Sequence, residues 1–424
     1  MGRWQARWLV WFGLSVLAPL AAAQERPFAA VLAAPAPALL TDRAPAERLD
    51  DRVTVRHLAF RSLDVPGPNG PVANEVYALL ALPTGPGPYP ALVVLHPGRE
   101  AAQRAIAIAW ARRGYVAISP DLPGIADPAR ARHSRGLWTG KPYGSDRWLL
   151  RPAAASSTLF QAAAAGIGAV RVLQQRADVD RGRIGIVGAS FGAYETLLLA
   201  GLLGDDIRAA YVVWGSGYFD ETSFSKDMAD LSPADRARWH AVLGAENYLQ
   251  GIKADLFLAA TSNDRAFWLP AVARTFEGIT ARKNLVIGPN ADHASTGYPG
   301  AAPRDPDGSW TEQEIHYFAH ALQGSGPALP VARLERVAGD TAVVQVLGTD
   351  IRSVTVYSSA TDAPYPKRTW VALPDSRVSA GADGRYRIDL RALGLGERDW
   401  FVQASDARGT SSSTLPQRWG GAAR

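Results

Sequence analysis

The 424-residue chain contains no cysteine. That absence excludes disulfides, thiolate metal sites and a cysteine nucleophile together, and leaves Ser, Asp, Glu and His to carry any chemistry. It also suits an oxidising compartment, where a stray thiol is a liability. Lysine is scarce, confined to Lys141, Lys226, Lys253, Lys283 and Lys367, so arginine supplies most of the 45 cations. No basic run is long enough to track a phosphate backbone. The formal net charge of +5 therefore reads as compositional bias, and nucleic acid is not an expected partner. Long hydrophobic runs are missing too: nothing after the N-terminus approaches the roughly 18 uninterrupted apolar residues of a membrane span.

What is present, 47% hydrophobic and 20% charged residues, is the balance of a water-soluble globular protein. The length fits two domains, or one α/β unit of about 250 residues with a smaller module. Arg3 and Arg7, the apolar stretch Trp8 to Leu20 and the small residues Ala21-Ala22-Ala23 predict a secretory signal peptide over residues 1–23 and a secreted or periplasmic product. Residues 24–51, rich in Ala and Pro, predict an extended leader rather than a packed element.

From there strands and helices alternate. Val53 to Leu63, Glu75 to Leu82, Ala91 to Leu95, Val116 to Ser119, Arg183 to Val187, Ala210 to Val213, Leu256 to Ala260 and Leu285 to Ile287 read as strands. Ala101 to Arg113, Ser156 to Arg176, Tyr194 to Leu203, Trp268 to Thr280 and Thr311 to Leu322 read as helices. This alternation predicts a mostly parallel sheet covered on both faces, occupying residues 52–323. After a Gly/Ser/Pro linker at 324–328 the pattern turns all-β. Residues 329–424 predict a small antiparallel sandwich of immunoglobulin or fibronectin type. Ser411-Ser412-Ser413 reads as a low-complexity stretch.

Gly188-Ala189-Ser190-Phe191-Gly192 fits G-x-S-x-G, a pattern common enough by chance to be weak alone. Its context sharpens it, because a β-run lies directly before it and an apolar helix directly after, the strand-turn-helix of a nucleophile elbow. A serine hydroxyl needs a base, and the base needs an orienting acid. His293, in a loop just past a strand, and Asp264, at the end of the preceding strand, stand where an open α/β sheet presents its ligands. The order Ser190, Asp264, His293 is the one this fold uses. Asp292 is the fallback acid. Asp255 precedes its strand and belongs to the wrong sheet edge. His316 and His320, a helical turn apart, mimic a metal pair but lack a partner motif, and His57, His133 and His240 lie away from strand ends after Ser190. The expected oxyanion donors are the N–H groups of Phe191 and, since Pro97 has none, Gly98, with Arg99 as the fallback. His96 is expected to orient its loop.

Together these residues carry a resemblance. Glu75 to Gly98, with Leu82-Pro83, the turn Gly85-Pro86-Gly87-Pro88-Tyr89-Pro90 and the strand into His96-Pro97-Gly98, resembles the start of α/β-hydrolases of the acetylxylan esterase, dienelactone hydrolase and prolyl oligopeptidase group. So does Ala177-Asp178-Val179-Asp180 ahead of Arg183 to Ser190. The resemblance spans roughly Val53 to Gln323. It implies an α/β-hydrolase fold and a serine hydrolase with no metal or organic cofactor, carrying Ser190, Asp264 and His293 in the triad positions. Three departures stand out. His96-Pro97-Gly98 replaces the usual His-Gly-Gly or His-Gly-aromatic, serine replaces the cysteine of typical dienelactone hydrolases, and no propeller-like stretch stands ahead of Val53. The C-terminal region loosely resembles the immunoglobulin-like modules of secreted hydrolases.

The expected activity is hydrolysis of a carboxylic ester through an acyl-enzyme, with a short-chain acyl group on a carbohydrate favoured by the resemblance and the expected export. A peptidase or amidase of prolyl oligopeptidase type, and a non-catalytic extracellular binding protein on a hydrolase fold, are the alternatives. Trp138, Trp148, Trp214 and Trp268 are candidates for a sugar-facing pocket, against ordinary packing. The loop from Ala126 to Pro152 is a candidate lid. Because every catalytic candidate precedes Gln323, the sandwich is expected to be separable from the chemistry.

Overall fold

The computed structural model describes residues 27–294, 312–374, 378–381 and 383–420, and the expected signal peptide lies outside the described residues. Three long strands come first, β1 (Leu39–Arg48), β2 (Val53–Gly67) and β3 (Gly70–Pro83), paired antiparallel in sequence. Six more follow: β4 (Tyr89–Leu95), β5 (Val116–Pro120), β6 (Val179–Ala189), β7 (Ala209–Val213), β8 (Asp255–Thr261) and β9 (Lys283–Gly288). They form one nine-stranded sheet in the order β1-β2-β3-β5-β4-β6-β7-β8-β9, parallel from β5 onward. The parallel strands are buried along most of their length because helices cover both faces.

The helices are α1 (Ala29–Ala33), α2 (Arg104–Arg112), α3 (Thr158–Gln174), α4 (Phe191–Leu203), α5 (Pro233–Leu243), α6 (Leu269–Gly278) and α7 (Glu312–Phe318). Strand alternation sends Val93, Ile186 and Leu258 to one face, against Leu159 of α3, Leu197 of α4 and Leu269 of α6. Val94, Val187 and Phe257 point to the other, against Trp110 of α2 and Tyr317 and Phe318 of α7. This is the α/β-hydrolase fold. Among the described residues no helix is long and apolar enough to cross a membrane.

The C-terminal strands are β10 (Val331–Ala338), β11 (Thr341–Leu347), β12 (Ile351–Ser359), β13 (Val371–Ala372), β14 (Val378–Ala380), β15 (Arg385–Asp389), β16 (Asp399–Asp406), β17 (Ser411–Ser413) and β18 (Gln417–Arg418). Two antiparallel sheets, β10-β11-β15-β14 and β13-β12-β16-β17, with β18 also on β16, enclose Val344 and Ile388 from one side and Val356, Trp400 and Val402 from the other. They make a β-sandwich.

One expectation fails here. Residues 24–51 are not merely an extended leader: residues 39–48 form the edge strand of the main sheet. Phe28 is buried and stacks on Phe160 with centroids 4.3 Å apart, a burial that contributes about 2 kcal/mol. Arg171 caps the α1 end by donating to Val31 O (2.8 Å), Ala34 O (2.7 Å) and Leu32 O. Pro45 is tolerated because β1 is an edge strand and the register shifts between Ala44 and Glu47. The low-complexity serine run is a strand: β17 pairs with β16, and its serines are buried against β9.

Candidate active site

The turn from β6 into α4 is shaped by two glycines. A methyl group at Gly188 would lie 2.2 Å from Gly192 O, and one at Gly192 would lie 2.3 Å from Leu95 O and 2.7 Å from His96 O. No side chain fits at either place. Between them Ser190 takes φ 56°, ψ −120°, a left-handed conformation costly for a residue with a Cβ. Its N–H is held by Val213 O at 2.9 Å, on the neighbouring strand β7.

The loops after β8 and β9 bring Asp264 and His293 to the same strand ends. His293 Nε2 is 2.9 Å from Ser190 Oγ, and His293 Nδ1 is 3.0 Å and 2.9 Å from the two Asp264 carboxylate oxygens. A carboxylate only accepts, so Nδ1 carries the proton and Nε2 offers its lone pair to the serine hydroxyl. Asp264 is buried, and its Oδ1 also accepts from the N–H groups of Ala266 (2.7 Å) and Phe267 (2.8 Å), which fix the carboxylate in place. Asp292 is not the acid partner. It accepts from Arg265 N–H (3.0 Å) and the Arg265 guanidinium (2.6 Å), tying the two loops together. Asp255 opens β8, at the far end from Asp264, and pairs with Arg282.

The Phe191 side chain lies close to Gly98. Phe191 opens α4, and its ring would be 3.3 Å from a methyl placed at Gly98. Among the described residues neither the Phe191 nor the Gly98 N–H has a protein acceptor, whereas the Arg99 N–H is taken by Ile125 O at 3.0 Å, which removes Arg99 as an alternative. His96 is fully buried, accepts from Leu122 N–H (3.0 Å) and donates to Pro97 O (2.8 Å). Burial pushes its pKa down to about 4, so it is a neutral brace for the loop. Asp121, just past β5, accepts from Ala102 N–H (2.9 Å) and the Ser134 hydroxyl (2.7 Å), and burial pushes its carboxyl up to about 6. The remaining histidines lie elsewhere. His57 bridges Glu47 and Tyr77, His240 meets Asp220 and Glu246, His133 sits by the Tyr77 ring, and His316 and His320 face Glu312 and Gly326 O. Among the described residues no His/Asp/Glu cluster is arranged to hold a metal ion.

Beside the serine stands an aromatic wall. Phe224 lies 4.9 Å from Phe191 and 5.3 Å from Phe267, and Phe267 lies 6.1 Å from the His293 ring, centroid to centroid. Of the four tryptophans singled out, Trp214 is close, 5.8 Å from His293. Trp138 is packed inward, and Trp148 lies against Phe219 and Trp239. The loop over 126–152 is anchored by Ser134 on Asp121, and by Arg147, which donates to Gly124 O (2.8 Å) and accepts Trp239 Nε1–H at its own carbonyl (3.2 Å). It reaches the site through Tyr143, whose hydroxyl would be 2.4 Å from a methyl at Gly98 and whose ring has Arg99 and Arg147 guanidinium carbons 4.5 and 4.3 Å from its centroid.

The sandwich, expected to be separable from the chemistry, touches the loops of the site as well. Trp370 and Phe401 belong to the same core as α3 and α6. Asn263 donates to Arg368 O at 2.6 Å, and Asn290 exchanges two 2.7 Å hydrogen bonds with the Trp370 backbone. Sequence reading passed over both asparagines, since Asn in a loop after a strand is ordinary turn composition.

No curated protein matches the chain. Solved structures similar to it include acetyl xylan esterase 1 from a Thermoanaerobacterium species (16% identity, covering 62% of this chain and 84% of that one, TM-score 0.48). Others are a cold-adapted esterase from an Arctic intertidal metagenomic library (16%, 67% and 100%, 0.44) and an acylaminoacyl peptidase from Pyrococcus horikoshii (17%, 63% and 42%, 0.45). The sequence profile of the dienelactone hydrolase family matches residues 76–295, more than half of the 424 and a span holding Gly98, Ser190, Asp264 and His293, so the chain is a hydrolase that belongs to that family.

Proposed function

We propose that this protein is a serine hydrolase of carboxylic esters working through an acyl-enzyme on Ser190, with short-chain acyl esters of carbohydrates as the favoured substrate class. The observation that carries the reading is the unbroken hydrogen-bonded line from Ser190 Oγ through His293 to Asp264, at 2.9 and 2.9–3.0 Å. Ser190 Oγ attacks the ester carbonyl carbon as His293 Nε2 takes its proton. Asp264 holds the Nδ1–H and stabilises the imidazolium, while the Phe191 and Gly98 N–H groups receive the oxyanion. His293 then gives the proton to the departing alkoxide. A water, deprotonated by His293, attacks the acyl carbon, and Ser190 leaves with its proton restored.

Export of the chain is part of the proposal, supported by Arg3 and Arg7, the apolar Trp8 to Leu20 and Ala21-Ala22-Ala23. The test is a fluorophosphonate label together with a panel of p-nitrophenyl esters of rising chain length, acetylated sugars and aminoacyl anilides. Labelling that maps to Ser190, is lost in Ser190→Ala, and accompanies turnover of acetyl esters is the expected result. Preferred turnover of the anilides would replace the esterase reading by a peptidase, and a chain that neither labels nor turns over any substrate would make it a binding protein.

A further inference from the structure

Ser190 is placed by its own turn and the Asp264 carboxylate by the N–H groups of Ala266 and Phe267, but the loop that carries His293 depends on supports further off. The loop after β9 turns at Asn290, whose φ of 57° is left-handed, and His293 follows three residues later. Among the described residues its ties within the hydrolase domain include Asn290 N–H to Ser262 Oγ (2.8 Å), Asn263 N–H to Ala291 O (3.1 Å) and the Asp292 pair with Arg265. All of these bind one loop to the other. Toward the rest of the hydrolase domain the loop after β8 is held through Ala266 O, which accepts from Ser223 N–H (3.0 Å), and through buried Phe267, packed against Phe219 and Phe224.

For the loop after β9 a reference outside the pair is supplied by the sandwich. Asn290 Nδ2 donates to Trp370 O and Asn290 Oδ1 accepts from Trp370 N–H, both at 2.7 Å, while Asn263, next to Asp264, donates to Arg368 O at 2.6 Å. The receiving segment is itself fixed: buried Arg368 pairs with buried Asp399, which also accepts from Tyr365 OH (2.9 Å) and Arg418 (2.7 Å). Just before the loop, Gln403 donates to Ile287 O (2.9 Å) and Ile287 N–H donates to Ser413 Oγ (3.1 Å), covering the open edge of β9.

We propose that Asn290, supported by Asn263, is a positioning residue: its paired hydrogen bonds to Trp370 register the acid and base loops against the β-sandwich and so hold the His293 imidazole on line with Ser190. The inference rests on the proposed esterase chemistry. Displacing a reacting group by an ångström costs about a hundredfold in rate, so a loop released by one such pair should show clearly in kcat.

The deciding variant is Asn290→Gly, which keeps the left-handed turn accessible and removes only the clamp. On a soluble acetyl ester, with rates normalised to folded protein, kcat should fall by about tenfold or more while KM stays within about twofold. The acidic limb of the kcat profile should move to lower pH, because Asp264 supports the imidazolium less well. Asn290→Asp, which keeps the acceptor but faces Trp370 O with another acceptor, should do no better. Asn263→Ala is read by the same criteria and decides the matter if Asn290→Gly does not fold. A lower melting temperature with unchanged kcat and pH limb would overturn the proposal. Ser190→Ala runs alongside: if it kept turnover the esterase reading itself would fail, whereas a dead Ser190→Ala beside a fully active Asn290→Gly would sink the positioning role alone.

Discussion

The two halves of the candidate site are built on opposite plans. The serine half is local: Gly188, Ser190 and Gly192 form one turn, and the groups around it, Leu95, His96 and Val213, are backbone groups at or just past the ends of neighbouring strands. The acid and base half is remote, with Asn263 and Asn290 held by carbonyls 105 and 80 positions further along the chain. A tight turn can strain a single residue into place because few torsions are involved. A pair of loops must borrow rigidity from something that does not move with them. The hydrolase fold supplies the first and the sandwich the second.

The bluntest way to break the comparison is to remove one member from each half. His293→Ala should cost about 10⁴ or more in kcat with unchanged circular dichroism, and the double variant with Ser190→Ala should be no worse than either alone, because the residues act as a unit. Additive losses would mean that the halves work independently. Next comes a chain ending at Ser325. It loses the sandwich hydrogen bonds to Asn263 and Asn290 and uncovers the core that Trp370 and Phe401 pack against, so its fluorophosphonate-reactive titre should fall by about tenfold or more, even in soluble material. Full titre in that chain would return the sandwich to a separable module.

Gly192→Ala probes the local half. The new methyl meets two backbone oxygens that cannot yield, so it should destabilise the fold by about 1–3 kcal/mol in denaturant titrations and lower kcat as well. Gly182→Ala, which meets only Asp180 Oδ1 at 3.4 Å, should leave the rate unchanged. The smallest effect concerns the brace under the oxyanion loop. His96 is held near pKa 4 when folded, against about 6.5 for an unperturbed histidine, so the unfolded chain binds the extra proton between those values. Its contribution is complete above about pH 6.5 and is lost as the pH falls toward 4, by up to about 1.4 kcal/mol per pH unit. Asp121, raised to about 6, works in the opposite sense over an overlapping window, but does so in both proteins. His96→Gln should therefore lose less stability than the unaltered chain between pH 7 and pH 5, and equal losses would show that His96 does not titrate this way.

The local half was legible in the sequence because its determinants are contiguous: a strand, G-x-S-x-G and an apolar helix announce the turn in one reading. Asp264 and His293 were legible through position alone, each just past a strand, and they lie within hydrogen-bond reach of each other and of Ser190. Illegible were the features that depend on a partner distant in the chain. Residues 39–48 carry no clean apolar alternation and include Pro45, so their pairing with β2 could not be read from composition. Ser411 to Ser413 lack the apolar alternation of a half-buried strand, and their burial reflects hydrogen bonding to β16, β9 and Gln313. Asn263 and Asn290 looked like turn residues, which they are, with their amide groups recruited elsewhere.

The clamp has one more consequence, for how the sequence can drift. Arg368 and Trp370 receive the two asparagines through their peptide groups and not through their side chains. Any sequence that keeps that stretch of sandwich backbone in place therefore preserves the contact, and a saturation scan should find residues 366–370 tolerant wherever packing and the Arg368–Asp399 pair are respected. Asn263 and Asn290 have no such latitude, since no other side chain offers a planar amide of that reach. Selection would thus write the dependence on the sandwich into the hydrolase domain, leaving the sandwich itself nearly silent.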